Sequence, residues 1–371
     1  MKVIQVVHSF PPEIGGIEAH VSNLSKEMVK NGHEVTVITS SDGRSPNFEV
    51  IDGIRVFRYW SLRIPWFSSV RIIPFLFFRL LLTDGDIYHS HGYGSIQPFY
   101  TAIAAWLKRK PFIFTLHGYP KLRGTSAIMK WFYTNTIARI FLFLSRKVIT
   151  VTRATIEDIA RETDRKKICT IPNGVDLVKF KSKKGISKLE ATDILYIGRF
   201  DAYKGIDTLI RAFAILRNRV PQARLRIIGH DEGIRGSLEA ISKELGVDVC
   251  FEEVKPDDMA QVYSSALTVV LPSKYEGLSL VLLETISSER PMLSTPVGAA
   301  KELFEEIYKE EAQRMLFEVD DHIGLAEKLF DITQDRGRYE KLCSLARKRL
   351  QVAYSWEAAS VKTIDLYTEL M

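Results

Sequence analysis

Leu267-Thr268-Val269-Val270-Leu271-Pro272-Ser273-Lys274-Tyr275-Glu276-Gly277-Leu278-Ser279-Leu280-Val281-Leu282-Leu283-Glu284 passes from strand to helix within one short segment. The apolar, β-branched run 267–271 ends at Pro272 and predicts a strand buried on both faces, as parallel sheets require. Leu280, Leu283, Ile286 and Ser287 then recur at helical spacing. A helix opening near Ser279, a good N-cap type, leaves backbone N–H groups unpaired around Gly277, Leu278 and Ser279, beside the loop acid Glu276. Were the segment helical throughout, eight steps of about 100° would set Glu276 and Glu284 roughly 80° apart, within reach of one ligand. The plainer alternative is a solvated loop acid and a glutamate that complements the helix dipole.

A second strand-to-helix turn lies upstream. Residues 193–198 read as a buried strand, and Ile206, Leu209, Ile210, Phe213 and Leu216 as the apolar face of a helix. Between them stand Arg199 and Lys204, where an open α/β sheet meets its ligand. A diphosphate suits that pair: a guanidinium clamps two oxygens, and an ammonium serves as a point charge. Near the start, Gly15-Gly16 follows the first strand and precedes a helix beginning near Ile17. Glycines there let backbone N–H groups approach a phosphate, although a tight turn explains them equally. No Gly-x-Gly-x-x-Gly is present, which argues against a dinucleotide oxidoreductase.

Further strands are expected at 3–7, 34–39, 54–59, 86–89, 112–117, 147–151 and 168–171, alternating with helices. A second alternating set follows near 194, 225, 249, 267 and 292. The chain, 371 residues long, exceeds what one core usually organises. The polar segment 179–192 reads as a linker, dividing it into two α/β domains, 1–177 and 178–354. Cys169, Cys250 and Cys343 lie far apart in apolar settings and read as reduced packing residues, which points to a cytoplasmic location. The apolar stretch after Lys2 is too short for a signal-peptide core and reads as the first strand. The most hydrophobic stretch, 60–82, is broken by Arg63, Pro65, Arg71, Pro74 and Arg79, so no transmembrane helix is expected.

Charge is uneven along the chain. Residues 1–177 carry 23 Lys+Arg against 14 Asp+Glu, net +9, and the remainder is net −3. Trp60, Trp66, Phe67, Phe75, Phe77 and Phe78 interleave with arginines, the pattern of an element lying in a membrane interface. An ordinary core helix over 72–82 is the alternative. A basic, aromatic-rich half suits a peripheral site on anionic lipid at the inner face of a membrane; no nucleic-acid partner is expected, since no recognised module appears.

Taken together, Gly198-Arg199, Lys204-Gly205 and Glu276 to Glu284 resemble the phosphate clamp and Glu-x7-Glu element of retaining glycosyltransferases of family 4. Pro11-Pro12-Glu13-Ile14-Gly15-Gly16-Ile17-Glu18, Asp86-Ile87-Tyr88-His89-Ser90-His91, Thr115-Leu116-His117-Gly118 and Ile171-Pro172-Asn173-Gly174-Val175-Asp176 extend the resemblance along the chain. The Gly-Gly-Ile-Glu, His-Ser-His and Ile-Pro-Asn-Gly segments are similar to the catalytic subunit that adds N-acetylglucosamine to phosphatidylinositol. The resemblance implies a GT-B fold, two Rossmann-like domains facing a cleft, with the C-terminal helix at 355–371 crossing back to the first domain. It implies transfer of a hexose or N-acetylhexosamine from a nucleoside diphosphate sugar to a lipid-linked or glycan hydroxyl.

The roles that follow from the resemblance are these. Arg199 and Lys204 stabilise the departing diphosphate, helped by N–H groups near Gly15, Gly16, Gly277, Leu278 and Ser279. Glu276 holds sugar hydroxyls and Glu284 the ribose. His117 stands beside the donor sugar and assists by positioning and electrostatics. With no covalent nucleophile in view, same-face attack is expected, the leaving phosphate taking the acceptor's proton.

His89 and His91 share one side of a strand end, a spacing open to metal binding, but without an obvious third ligand they read as packing or acceptor contacts. Asp84-Gly85-Asp86 mimics the Asp-x-Asp metal motif of a different glycosyltransferase fold; it is set aside because Asp86 opens a strand and the cations already neutralise phosphate. No metal and no cofactor are therefore expected. Glu253, Glu289 and the segment 314–317 depart from the family's glycines, which bears on donor identity. Two rivals are a nucleotide-sugar 2-epimerase of similar fold and a non-catalytic nucleotide-sugar-binding subunit.

Overall fold

A computed structural model describes residues 1–64, 67–118, 127–181 and 192–371. It separates into two compact units, one formed by Met1–Gly174 with Trp356–Met371, the other by Val175–Ser355. Most of the expected linker, 182–191, and Pro65 and Trp66 of the aromatic stretch lie outside the described residues.

The first unit is built on β1 (Lys2–Val6), β2 (Glu34–Ser40), β3 (Phe48–Ile51), β4 (Ile54–Tyr59), β5 (Leu62–Ile64), β6 (Phe67–Ile72), β7 (Ile87–His91), β8 (Phe112–Leu116), β9 (Lys147–Thr150) and β10 (Ile168–Thr170). Eight of these strands form one sheet in the order β10-β9-β8-β7-β1-β2-β4-β3, parallel except for β3. Val3 pairs with Val35 on one side and Ile87 on the other, so the strand order reverses beside β1. Apolar runs such as Phe112–Leu116 are buried throughout, as central parallel strands must be. Leu76–Leu82, Gln97–Leu107 and Arg139–Leu144 pack side by side as helices over a core that includes Leu80, Ala105, Phe114 and Phe141. The Gly16–Lys30 helix packs against the last helix, Trp356–Leu370.

Within 60–82 the helix read over 72–82 is present but shorter, with Leu76 and Leu80 in the core. Leu62–Ile64 and Phe67–Ile72 form a separate antiparallel pair, and the helix begins only at Leu76, after Phe75 in a left-handed conformation. Pro74 keeps Ile73 out of helical geometry, and the left-handed Phe75 sets the first helical residue at Leu76. The antiparallel edge strand β3 was also not foreseen.

The second unit has β11 (Asp193–Ile197), β12 (Arg224–Ile228), β13 (Val249–Glu252), β14 (Ala266–Leu271) and β15 (Met292–Ser294), all parallel, in the order β13-β12-β11-β14-β15. Here the order reverses beside β11, and the carboxyl ends of β11 and β14 open side by side. Crevices at such reversals are where open α/β sheets bind ligands.

Candidate active site

In the second unit the loops after β11, β14 and β15 are locked together by backbone. Lys274 N–H donates to the Tyr203 carbonyl at 2.8 Å, and Ala299 N–H to the Gly277 carbonyl at 3.0 Å. Gly205 sits at φ +62°, and a Cβ there would collide with the Pro272 carbonyl. At Gly298, φ +58°, a Cβ would collide with the Glu276 and Gly277 carbonyls. Only glycine supplies both the left-handed backbone and the missing Cβ at these two contacts.

The lock brings two of the predicted residues into direct contact. Lys204 Nζ and Glu276 Oε1 lie 2.5 Å apart, with side chains 18% and 16% exposed. Ser273 Oγ donates to the same carboxylate oxygen at 2.9 Å. Arg199 is not drawn into this pair: its guanidinium is 62% exposed and reaches Glu232 at 3.6 Å. Buried Tyr196 connects the two places. Its hydroxyl donates to the Arg199 carbonyl at 2.8 Å, and burial, reinforced by the negative charges of Glu276 and Asp201, holds its pKa well above the ordinary range.

Ser279 takes the N-cap position of the Leu280–Ser287 helix, but its hydroxyl makes no capping bond, so the first-turn N–H groups keep no side-chain acceptor from it. Because helix starts only at Leu280, the two glutamates are not on adjoining faces of one helix. Glu276 is a loop residue, and Glu284 accepts from the Tyr263 hydroxyl at 2.6 Å. Burial pushes the Glu284 carboxyl up to about 7, against the lowering effects of Tyr263 and Lys179. Phe180 packs edge-on against Tyr263, closing that side. Tyr263 was missed in the sequence; its place on the helix before β14 carried no motif.

In the first unit, Gly15 and Gly16 open the Gly16–Lys30 helix. A Cβ on Gly15 would strike the Glu18 carboxylate, which also accepts from Ser9 and lies 3.6 Å from His8 Nε2. This loop is already neighboured by an acid of its own. Asp84 and Asp86 pair with Lys2 and Lys110, so the Asp-x-Asp resemblance is spent on structural ion pairs.

Five histidines gather at the order reversal of this sheet: His8, His20, His89, His91 and His117. The rings of His89 and His91 are 4.3 Å apart, on one side of β7 as alternation requires. The expected absence of a third ligand is corrected: nitrogens of His20, His91 and His117 all lie within 4.8 Å of one another. His20 comes from the helix after Gly16, where its place on the apolar stripe with Val21, Leu24 and Met28 disguised it as a core position. Three imidazoles are a zinc-type donor set; of their lone pairs, that of His91 is engaged by His117.

The hydrogen bonds form a chain whose direction can be read. His91 Nε2 lies 2.7 Å from Gln5 Oε1, an acceptor, so that nitrogen carries the proton and Nδ1 offers a lone pair to His117 Nε2 at 3.0 Å. Gln5 Nε2 donates in turn to the Tyr367 hydroxyl at 3.5 Å, which meets His89 Nδ1 at 2.6 Å; His89 Nε2 reaches Thr115 Oγ1 at 2.7 Å. Burial holds His89, His91 and His117 well below the ordinary histidine pKa, so all three are neutral. His117 is thereby fixed as the Nε2–H tautomer, with a lone pair at Nδ1. His20 Nδ1 meets Asn173 Oδ1 at 2.9 Å, leaving its buried Nε2 without a hydrogen-bond partner among the described residues. Burial lowers its pKa to about 4.

The sequence profile of Glycosyltransferase Family 4 matches residues 14–179, and that of Glycosyl transferases group 1 matches residues 178–349. An uncharacterised glycosyltransferase of Methanocaldococcus jannaschii is 28% identical across 99% of this chain and 98% of its own. A GDP-mannose:cellobiosyl-diphosphopolyprenol alpha-mannosyltransferase of Xanthomonas oryzae is 26% identical over 78% of this chain and 77% of its own. Among solved structures, HepE of Anabaena, in complex with UDP and glucose, superimposes with a TM-score of 0.80 at 18% identity, covering 100% of both chains. The chain is a glycosyltransferase with the GT-B fold, a family 4 domain followed by a group 1 domain.

Proposed function

We propose that the chain moves a hexose or N-acetylhexosamine from a nucleoside diphosphate sugar to the hydroxyl of a lipid-linked or glycan acceptor, with retention of configuration and without a metal ion. The observation that carries this reading is the Lys204–Glu276 pair, held at the carboxyl ends of β11 and β14 where the strand order reverses. An incoming diphosphate competes with Glu276 for the ammonium. As Lys204 turns to the phosphate, Glu276 is released to accept from sugar hydroxyls, so one binding event sets both groups. Arg199, whose only ion-pair contact among the described residues is the loose one to Glu232, adds a second cation to the departing diphosphate. Glu284 takes the ribose, and the Nδ1 lone pair of His117 accepts from a donor-sugar hydroxyl. The lipid-linked acceptor draws support from the Xanthomonas relative, whose name specifies a diphosphopolyprenol acceptor.

The test is a screen of UDP-, GDP- and ADP-sugars, UDP-N-acetylglucosamine included, against polyprenyl diphosphate glycans and phosphatidylinositol, with and without EDTA. NMR of the product's anomeric proton reads the stereochemistry. Retention, with turnover unaffected by EDTA, is expected. Inversion, an EDTA-sensitive reaction, or epimerisation of the donor without an acceptor would overturn the corresponding part of the reading.

A further inference from the structure

Residues 87–156 contain ten Lys+Arg and no Asp or Glu. Midway through this window the chain runs helical over 127–144, a length of about 27 Å, with a π-helical turn at Tyr133–Ala138. One side of this helix is core: Ala138, Phe141 and Leu142 are completely buried. The other side is also apolar and faces water. Ile128 is 78% exposed, Trp131 65%, Phe132 55% and Phe143 77%, with Ile140 and Arg139 exposed beside them. Ile128 and Phe132 share one face before the π-helical turn, and Arg139, Ile140 and Phe143 share one face after it. The neighbouring Gln97–Leu107 helix, which packs on Arg139–Leu144, adds exposed Trp106 and Leu107 at its C-terminal end, next to exposed Arg109. Lys167 lies over the Phe143 ring at 5.5 Å, and Arg146 is exposed three residues on.

A helix apolar on both sides belongs in contact with something. A second copy of this chain would set two acid-free basic windows against each other. A nucleic acid would satisfy the cations and leave Ile128, Phe132 and Phe143 in water. A bilayer with anionic headgroups uses both features at once. The helix is not a span: no helix among the described residues is long and apolar enough to cross a membrane, and Thr134, Asn135, Thr136 and Arg139 interrupt this one.

We infer that helix 127–144, with the adjoining end of Gln97–Leu107, is a membrane-docking surface that lies in the headgroup boundary of an anionic bilayer, Trp131, Phe132 and Phe143 inserted and Arg139 and Arg146 on phosphates. This assignment stands on charge and exposure, independent of which sugar is transferred. It differs from the aromatic stretch 60–82 that the sequence suggested. It also places the bilayer contact in the same β8-to-β9 connection that begins with His117.

The experiment is vesicle cosedimentation of the full chain. Binding to phosphatidylcholine doped with phosphatidylglycerol is expected to exceed binding to phosphatidylcholine alone by about tenfold and to weaken as salt is raised. The triple variant W131S/F132S/F143S, and separately R139E/R146E, each lose about tenfold or more. Brominated lipid quenches tryptophan fluorescence in the wild type, and W106F/W131F removes most of that quenching. Thermal stability and lipid-free binding of UDP, which do not involve these residues, stay at wild-type levels, and single variants W131S and F143S serve if the triple variant is unstable. The inference is overturned if the wild type ignores anionic vesicles at low salt, if the triple variant binds them as well as the wild type, or if the substitutions instead dissociate a wild-type dimer.

Discussion

Lys204→Ala separates the two things the Lys204–Glu276 pair does. The pair is close, at 2.5 Å, and each side chain is about five-sixths covered. An exposed ion pair is worth about 0–1 kcal/mol, while stripping one partner from a buried pair costs about 3–5 kcal/mol. With Ser273 still donating to the orphaned carboxylate, the loss falls between these limits, about 2 kcal/mol. For a unit of this size that lowers Tm by roughly 4–8 °C. Turnover should fall about a hundredfold, equivalent to about 2.7 kcal/mol of transition-state stabilisation. Lys204→Ala/Glu276→Ala removes the stranded charge as well, so stability should recover by half or more while turnover stays as low as in the single variant. Calorimetry and initial-rate kinetics on the same preparations read both quantities. Near-normal turnover in Lys204→Ala, or turnover restored together with stability in the double variant, would refute the catalytic role and leave a structural ion pair.

Four further outcomes follow from the geometry. Glu289, just beyond the Leu280–Ser287 helix, sits at φ +53° where a glycine would be at ease, and Glu289→Gly should raise the urea midpoint by an amount worth about 1 kcal/mol. Glu284 has its carboxyl raised from 4.5 to about 7, so the folded state binds the extra proton between those values; stability is highest at the acid end and falls by about 3 kcal/mol as pH rises through 7. Unfolding measured against Glu284→Gln across that window should show the slope, and a flat difference would contradict it. UDP affinity should rise over the same window as the carboxylate forms, and stay flat in Glu284→Gln. For the histidine chain, 15N NMR should report His117 as the Nε2–H tautomer; Gln5→Leu should mix its tautomers and lower turnover about tenfold.

What the sequence disclosed was governed by how local the signal is. Buried parallel strands such as Ala266–Leu271 announce themselves through continuous β-branched runs, and every strand read that way is present, displaced by a residue or two at the ends. The antiparallel β3 and the β5–β6 pair lacked that signature: Phe48–Ile51 is half exposed, and the aromatic stretch 60–82 fits helix and strand patterns alike. At the candidate site, the Lys-Gly and Glu-x7-Glu motifs were legible because each is a short contiguous stretch at one strand-to-helix turn. Their pairing was not, since Lys204 and Glu276 are 72 residues apart and meet only through the adjacency of β11 and β14. His20, Gln5 and Tyr367 were invisible for the same reason. Each looks like an ordinary core position until the sheet and two helices bring them to one place.

The return of the Trp356–Leu370 helix has a consequence for how the molecule is made. Tyr367 closes the hydrogen-bond chain between Gln5 and His89, so the unit whose strands are made first is completed by a helix made only after the whole of Val175–Ser355. Val175–Ser355 holds all its own strands and can mature during synthesis, whereas the earlier unit waits with a polar seam open. A chain stalled before residue 356 would thus carry a mature C-terminal half and an N-terminal half exposed to proteases.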